Sequence, residues 1–314
     1  MMKNKISIFL DKYKLVLPAV IVLFVVTVFP FIYTVNVSLH KVVGRNIRTK
    51  WPWVGFENFL FVLKDKVMWN SLFRTIEFVL IVIIAELVIG FFLALIFNQE
   101  SKLLRFMRTF LIVPMVITPV VVGLMWKALL KLKGGLVNNV ISALGVEPVP
   151  WLTSQPIEFI SSIPIIGQFF VKHLNAKFSF LSLIIIDIWQ WTPYVMLILL
   201  SSLQSISQEV KEAAEVDGAN YWQKIYYIVL PLLKPTIIVI FLLRTIDAIK
   251  VYDTVYALFG SAAEQRLLNV HVMNIALRIR NYGQGAALSI LILFCTSMIS
   301  QWFVKFINRG SINE

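Results

Sequence analysis

A chain of 314 residues that is 59% hydrophobic and only 15% charged, with a mean hydropathy of +0.81, is not an ordinary soluble enzyme, because soluble domains run near about 45–50% apolar and about 25% charged. The net charge of +12, from 29 Lys and Arg against 17 Asp and Glu, sits in loops and at the ends of apolar runs, which points to anionic membrane lipids as the counterpart and not to nucleic acid. The single cysteine, Cys295, lies inside an apolar run, so no intrachain disulfide is possible and the residue reads as packing.

A helix needs about 20 apolar residues to cross the hydrocarbon. On that measure the chain offers spans at Leu15 to Leu39, Ser71 to Phe97, Phe106 to Leu130, Phe180 to Leu200, Ile225 to Ile249 and Ala286 to Val304. The prediction is an all-α polytopic membrane protein with six transmembrane helices. Lys3, Lys5, Lys12 and Lys14 precede the first run as in a signal peptide, yet the run is too long for a cleaved segment and no small-x-small site follows. It is expected to stay as an anchor. The shorter run from Ile157 to Val171, broken by Pro164 and Gly167, reads as an interfacial or re-entrant piece of a long outer loop. No fixed-period repeat or low-complexity linker divides the chain, so residues 15–307 are expected to form one membrane domain between terminal segments 1–14 and 308–314.

An even number of spans puts both termini on one side. With the N-terminus inside, the inner segments carry 10 Lys and Arg in 56 residues and the outer loops 14 in 116. The density of positive charge favours that orientation slightly, while the raw count points the other way.

The inner loop and following helix start, Gln204 to Pro235, depart most from bare hydropathy. Ile206 to Ala214 and Ala219 to Tyr227 have helical spacing and are separated by Asp217-Gly218, a turn signal, which predicts two short helices projecting from the membrane. Glu209, Glu212, Glu215 and Asp217 outnumber Lys211 and Lys224 in a chain that is otherwise basic. Either the loop is a solvated amphipathic linker, or it docks into a basic groove of another protein.

Glu212-Ala213-Ala214, then Gly218, then Ile228-Val229-Leu230-Pro231 resembles the EAA motif of binding-protein-dependent ABC import permeases, with every fixed position at the right spacing. WQWTPY at Trp189 to Tyr194 and LQSI at Leu203 to Ile206 are similar to the sugar-importer branch of that family. Looser similarity extends to WVGFENF at Trp53 to Phe59 and YGQGAALS at Tyr282 to Ser289. The chain departs from the family in lacking a Gly-rich stretch at Leu258 to Glu264 and in a longer outer loop from Lys131 to Ser179. The resemblance implies a type I ABC importer permease that takes a carbohydrate, an oligosaccharide or a glycerol-phosphate-like solute into the cytoplasm. It further implies a coupling loop over residues 204–231, with Glu212, Ala213, Ala214, Asp217, Gly218, Leu230 and Pro231 transmitting ATPase motion. It places that loop and both termini in the cytoplasm. The implied partners are a second permease subunit in a heterodimer, two ATP-binding subunits and an extracytoplasmic solute-binding protein, at the inner (cytoplasmic) cell membrane.

No Gly-Lys dipeptide occurs, so the chain has no phosphate-cradling P-loop of its own and ATP hydrolysis is expected in a separate subunit. His40, His173 and His271 are isolated from one another and from Cys295, which gives no support to a metal site, and no cofactor motif is present. Hydrolase signatures are missing too. The chain is therefore read as a transport subunit and not an enzyme.

Charge inside a span needs a partner or a cavity. Arg244 and Asp247 are three residues apart on one helix and placed to pair with each other. Glu86 reads as a buried hydrogen-bonded acid that holds the second span to a neighbour. On the fourth span Asp187, Trp191 and Tyr194 share one face with Gln190 beside them. Acid, amide and aromatic on one stripe suit a sugar. The family resemblance adds contacts from the helices on both sides of the EAA loop, giving Asp187, Gln190, Trp191, Tyr194, Asp247 and Lys250 as a substrate path. Alternatively, Asp187 pairs with a basic side chain on a neighbouring helix. A rival reading is a secondary, proton-coupled transporter in which Glu86, Asp187 and Asp247 relay protons; the paired interrupted helices of inverted repeats are not seen.

Overall fold

The computed structural model describes residues 15–99, 101–157, 177–260 and 267–310. Most of the Ile157 to Val171 run and much of the altered Leu258 to Glu264 stretch lie outside them. Helices joined by turns make up the described residues, with three isolated backbone bridges and no named strand among them. In chain order they are α1 (Leu17–Ser38), α2 (Glu57–Lys64), α3 (Lys66–Phe97), α4 (Lys102–Val116), α5 (Pro119–Leu129) and α6 (Leu136–Ala143), followed by α7 (Phe178–Gln204) and α8 (Gln208–Val216). Then come α9 (Tyr221–Ile249), α10 (Asp253–Phe259), α11 (Leu268–Met273) and α12 (Tyr282–Gly310).

Five helices, α1, α3, α7, α9 and α12, are long and apolar enough to cross a membrane, and α4 with α5 makes a sixth if the pair is one broken span. The expected third span, Phe106 to Leu130, is not one continuous helix: α4 and α5 meet at a 100° bend. The cause is local. Pro119 cannot donate to the helix, and a residue before proline is pushed out of the helical region; Ile117 and Thr118 accordingly have extended ψ values of 133° and 143°.

The loop between the fourth and fifth spans also differs from expectation. Its first short helix exists as α8, but Ala219 to Tyr227 is not a separate helix, because α9 runs without interruption from Tyr221 into the fifth span. Pro231 lacks an N–H, and its ring would crowd the carbonyl four residues back. A wide π-turn at Ile225–Val229, closed by the Leu230 N–H on the Ile225 carbonyl, lets the helix pass that point.

The chain divides into two compact units, Met1–Met68 with Val272–Cys295 and Trp69–His271 with Thr296–Glu314. In the first, α1 leaves Leu23, Val26 and Phe29 about two-thirds exposed, as a lipid-facing helix should. Buried Asn58 ties α2 to the end of α1 by donating from Nδ2 to the Ser38 carbonyl at 2.8 Å and the His40 carbonyl at 3.0 Å.

The second unit has two apolar clusters. Phe78, Val82 and Ile83 of α3 meet Leu183 and Ile186 of α7 with Val255 and Leu258 of α10 in one. Ala94 and Phe97 of α3 meet Val195, Met196 and Leu199 of α7 with Leu233 and Ile240 of α9 in the other. Between them in sequence fall Glu86 on α3, Asp187 on α7 and, on α9 before the Ala248 that joins the first cluster, Arg244 and Asp247. At Gly90, one turn beyond Glu86, α3 approaches α7 so closely that a Cβ would lie 2.9 Å from Val195 Cγ1 and 3.2 Å from the Met196 nitrogen, the small-residue contact that lets membrane helices pack tightly. Gly90→Leu is therefore expected to lower the stability of the detergent-solubilised protein by about 1–3 kcal/mol through overpacking. An unchanged thermal melt, followed by Trp fluorescence, would mean that α3 and α7 do not make this contact.

Candidate functional site

Arg244 on α9 is 1% exposed and holds two carboxylates from two other helices. Its Nε donates to Glu86 Oε2 at 2.7 Å and its Nη2 to Glu86 Oε1 at 2.8 Å, a bidentate fork, while Nη2 also reaches Asp187 Oδ2 at 2.7 Å. Glu86 is fully buried and Asp187 nearly so. The guanidinium carbon lies 4.9 Å from the centre of the Trp191 ring, so one face of the cation is covered by an aromatic. The expected pairing of Arg244 with Asp247 along the helix is corrected, since both ion pairs of Arg244 cross between helices. Glu86 holds the second span to a neighbour as the sequence suggested. For Asp187 the geometry matches the alternative of a basic partner on an adjacent helix.

Beside this network opens a cavity of about 240 Å³. Five of the six residues expected along a substrate path line it: Asp187, Gln190, Trp191, Asp247 and Lys250. Tyr194 does not line it and instead meets the Trp191 ring edge-to-face at 6.2 Å. Gln190 is partly committed to the architecture, because its Nε2 donates to the Ile117 carbonyl at 3.1 Å. That carbonyl belongs to the break between α4 and α5, where backbone groups at membrane depth must find partners. Thr254 Oγ1 covers the other side of the break by donating to the Pro119 carbonyl at 3.3 Å.

Sequence reasoning missed the wall beyond the fifth span. Tyr252, Asp253 and Thr254 follow α9 and also line the cavity; their only sequence signal was the cluster of polar and aromatic residues directly after an apolar run. Tyr252 stacks on Tyr256 with ring centres 5.6 Å apart. Burial, followed by the neighbouring Tyr256 and Asp253, pushes the Tyr252 phenol up from its ordinary value, so it stays protonated and able to donate.

The loop between α7 and α9 is built as a rigid corner. The Gly218 N–H donates to the Glu215 carbonyl at 3.0 Å and the Ala219 N–H to the Ala214 carbonyl at 2.9 Å, with Gly218 at φ +77°. This is a Schellman termination of α8, whose left-handed position favours glycine. Two residues later Asn220 and Gln223 exchange side-chain and backbone hydrogen bonds of 2.8 and 2.9 Å in a capping box that starts α9. Lys224 Nζ closes the corner on Glu215 Oε1 at 2.8 Å. The Lys224 hydrogen bond, then its charge, hold the Glu215 carboxyl below its ordinary value, so the contact is complete above that value and is lost as pH falls through the depressed one. Glu212, Ala213 and Asp217 are exposed, Ala214 is buried, Leu230 is half-buried and Pro231 exposed.

Removing Arg244 would strand two buried carboxylates, a loss of about 3–5 kcal/mol for a broken buried pair. Arg244→Ala is expected to abolish recovery of monodisperse protein after detergent extraction. Arg244→Met combined with Glu86→Gln and Asp187→Asn, which removes all three charges, is expected to restore much of the yield in size-exclusion chromatography; equal yields for the single and triple variants would contradict the pairing.

Residues 86–312 match the family described as binding-protein-dependent transport system inner membrane component. The chain is 33% identical over 280 residues to the trehalose/maltose transport system permease protein MalF of Thermococcus litoralis, covering 89% of this chain and 87% of that one. It is 28% identical over 301 residues to the trehalose transport system permease protein SugA of Mycobacterium tuberculosis, covering 95% and 89%. The fold is that of a chain in the crystal structure of a bacterial ABC transporter involved in the import of the acidic polysaccharide alginate, with a TM-score of 0.78 at 21% identity over 98% of both chains. With nearly three-quarters of its length and both sides of the cavity inside the family match, this chain belongs to the binding-protein-dependent transport system inner membrane components.

Proposed function

We propose that the chain is the permease subunit of an ATP-driven importer that moves a carbohydrate into the cytoplasm. The observation that carries this reading is that one helix, α9, begins at the capped corner of the EAA-type loop and ends at the cavity wall, with Arg244, Asp247 and Lys250 near its far end. A push on the corner reaches the cavity through continuous backbone. The trehalose/maltose and trehalose permeases among its relatives support the carbohydrate, as does a cavity that combines acids, an amide and aromatic rings.

In this reading a second permease subunit completes the path, two ATP-binding subunits drive it and an extracytoplasmic binding protein delivers the solute. The loop and both termini face the cytoplasm, in keeping with the higher density of Lys and Arg in the segments that share their side. Exposed Glu212 faces a basic groove of the ATP-binding subunit, and exposed Trp222, Tyr226 and Tyr227 add apolar contact area around it. ATP-driven closure moves the corner, and α9 carries that motion past the wide turn at Ile225–Val229 into the membrane.

The test exploits the chemistry of Gly218, where a Cβ would meet nothing within 4 Å and only the backbone conformation resists substitution. An L-residue in the left-handed region costs about 1–2 kcal/mol, with Asn tolerated best. In the reconstituted complex Gly218→Pro is expected to abolish solute-stimulated ATPase activity while Gly218→Asn retains most of it; equal activity in both would remove the coupling role. Glu212→Lys, which sets a like charge against the groove, is expected to reduce co-purification of the ATP-binding subunit at low salt. Undiminished co-purification would instead make the loop a solvated linker.

A further inference from the structure

The charges of the cavity are closed on themselves, and this bears on the kind of solute it can hold. Arg244 has Nε and Nη2 committed to Glu86 and Asp187, and the Trp191 ring covers one face of its guanidinium. Lys250, on the cavity wall, is flanked in sequence by Asp247 and Asp253, which also line the cavity. The lining thus carries three acids, Asp187, Asp247 and Asp253, against two bases, Arg244 and Lys250, and Glu86 stands outside the lining as the second carboxylate on Arg244. Low-dielectric walls focus such a field, so an anion entering here is repelled. Hydroxyl groups, which donate and accept, meet the opposite situation: Asp247 and Asp253 offer acceptors, and Lys250 and the protonated Tyr252 phenol offer donors. Trp191 and Tyr252 supply the apolar surface for a ring face. At about 240 Å³ the cavity is below the about 300–1,000 Å³ range of pockets that enclose drug-sized ligands, a size for one ring and not a whole oligosaccharide.

We infer that this cavity is a subsite for a single ring of a neutral, hydroxyl-rich saccharide, and that it rejects anionic and phosphorylated sugars because Glu86 and Asp187 already neutralise its buried guanidinium. The inference deepens the carbohydrate reading and rests on it. Glu86 acts at a distance: it does not line the cavity, and it sets the charge that Arg244 presents there.

The experiment uses the complete complex of permease pair and ATP-binding subunits in nanodiscs without nucleotide, so that no binding protein filters the ligand. Saturation-transfer NMR titrations use trehalose and trehalose 6-phosphate as probes, which share their rings and differ by a phosphate. Trehalose is expected to bind, with the phosphate at least about ten-fold weaker. Glu86→Gln is expected to narrow that ratio by about ten-fold without removing any group that touches the ligand. Asp247→Asn, on the wall and outside the ion network, is expected to narrow it in the same direction should Glu86→Gln fail to assemble. Phosphate binding as tight as trehalose in the unsubstituted complex would overturn the inference and leave the carbohydrate reading standing. Binding of neither probe would overturn the subsite, and an unchanged ratio in both variants would overturn the role given to the acids.

Discussion

A guanidinium in the middle of a membrane unit has to bring its counter-charges with it, and Arg244 does so from two other helices. A charged residue costs at least about 2.5–3.5 kcal/mol at the centre of a span on insertion scales, and three charged residues from three spanning helices are placed together here. The bidentate fork to Glu86 and the single bond to Asp187 satisfy them in a geometry with little freedom. The network lies at the level where the two apolar clusters meet, so α3, α7 and α9 share one register. Slipping one of these helices by a single residue would turn its charged side chain by about 100° and leave it in hydrocarbon. Apolar packing tolerates such slips far better, since it has no direction. Register is therefore set by the ions, and close approach by Gly90.

Polar backbone is handled by the same logic. The break before Pro119 leaves the Ile117 carbonyl outside both helices, and Gln190 on α7 donates to it, while Thr254 beyond α9 donates to the Pro119 carbonyl at the start of α5. Gln190 lies just beyond Asp187 on α7, so that helix fixes both the ion network and the bend within one turn of backbone. The cavity is what remains between a charge-locked group of helices and a bent one.

Much of this was legible in the sequence, for identifiable reasons. Length and hydropathy set the number of spans because the bilayer imposes one length on every helix. The Asp217-Gly218 turn was visible because few residues accept a left-handed backbone, and the cavity residues on α7 because an amphipathic stripe of acid, amide and aromatic has no use against lipid. Several features escaped. The bend at Ile117 was hidden by a hydropathy reading that scores Pro114 and Pro119 as mild residues, although the rule that proline displaces its predecessor from the helix was available. The partner of Arg244 was hidden because Asp247 lies near it in sequence, whereas Glu86 and Asp187 are 158 and 57 residues away; spacing on one helix ranks local pairs and is blind to pairs between helices. The continuity of α9 escaped as well, because hydropathy starts the fifth span at Ile225 and leaves the helical spacing of Ala219 to Tyr227 to the loop, when a π-turn carries one helix through both.

This distribution of directional and non-directional contacts also constrains how the proposed import cycle can open the cavity. Moving α9 relative to α3 or α7 would pull Arg244 from its carboxylates in a medium that cannot solvate either, so those three helices move together if they move at all. By contrast α5 and α10 face them largely through Val122, Val255 and Leu258 in an apolar cluster, a surface that can slide at small cost. Across that boundary the hydrogen bond from Gln190 to the Ile117 carbonyl is directional and would have to be exchanged for another partner, such as a solute hydroxyl or water. Gln190 lines the cavity, which puts the exchange where the proposed function has the solute arrive. Under the proposed mechanism a sugar hydroxyl that satisfies Gln190 weakens the hold on the bent helix pair at the moment the site is filled, and an empty site keeps it closed.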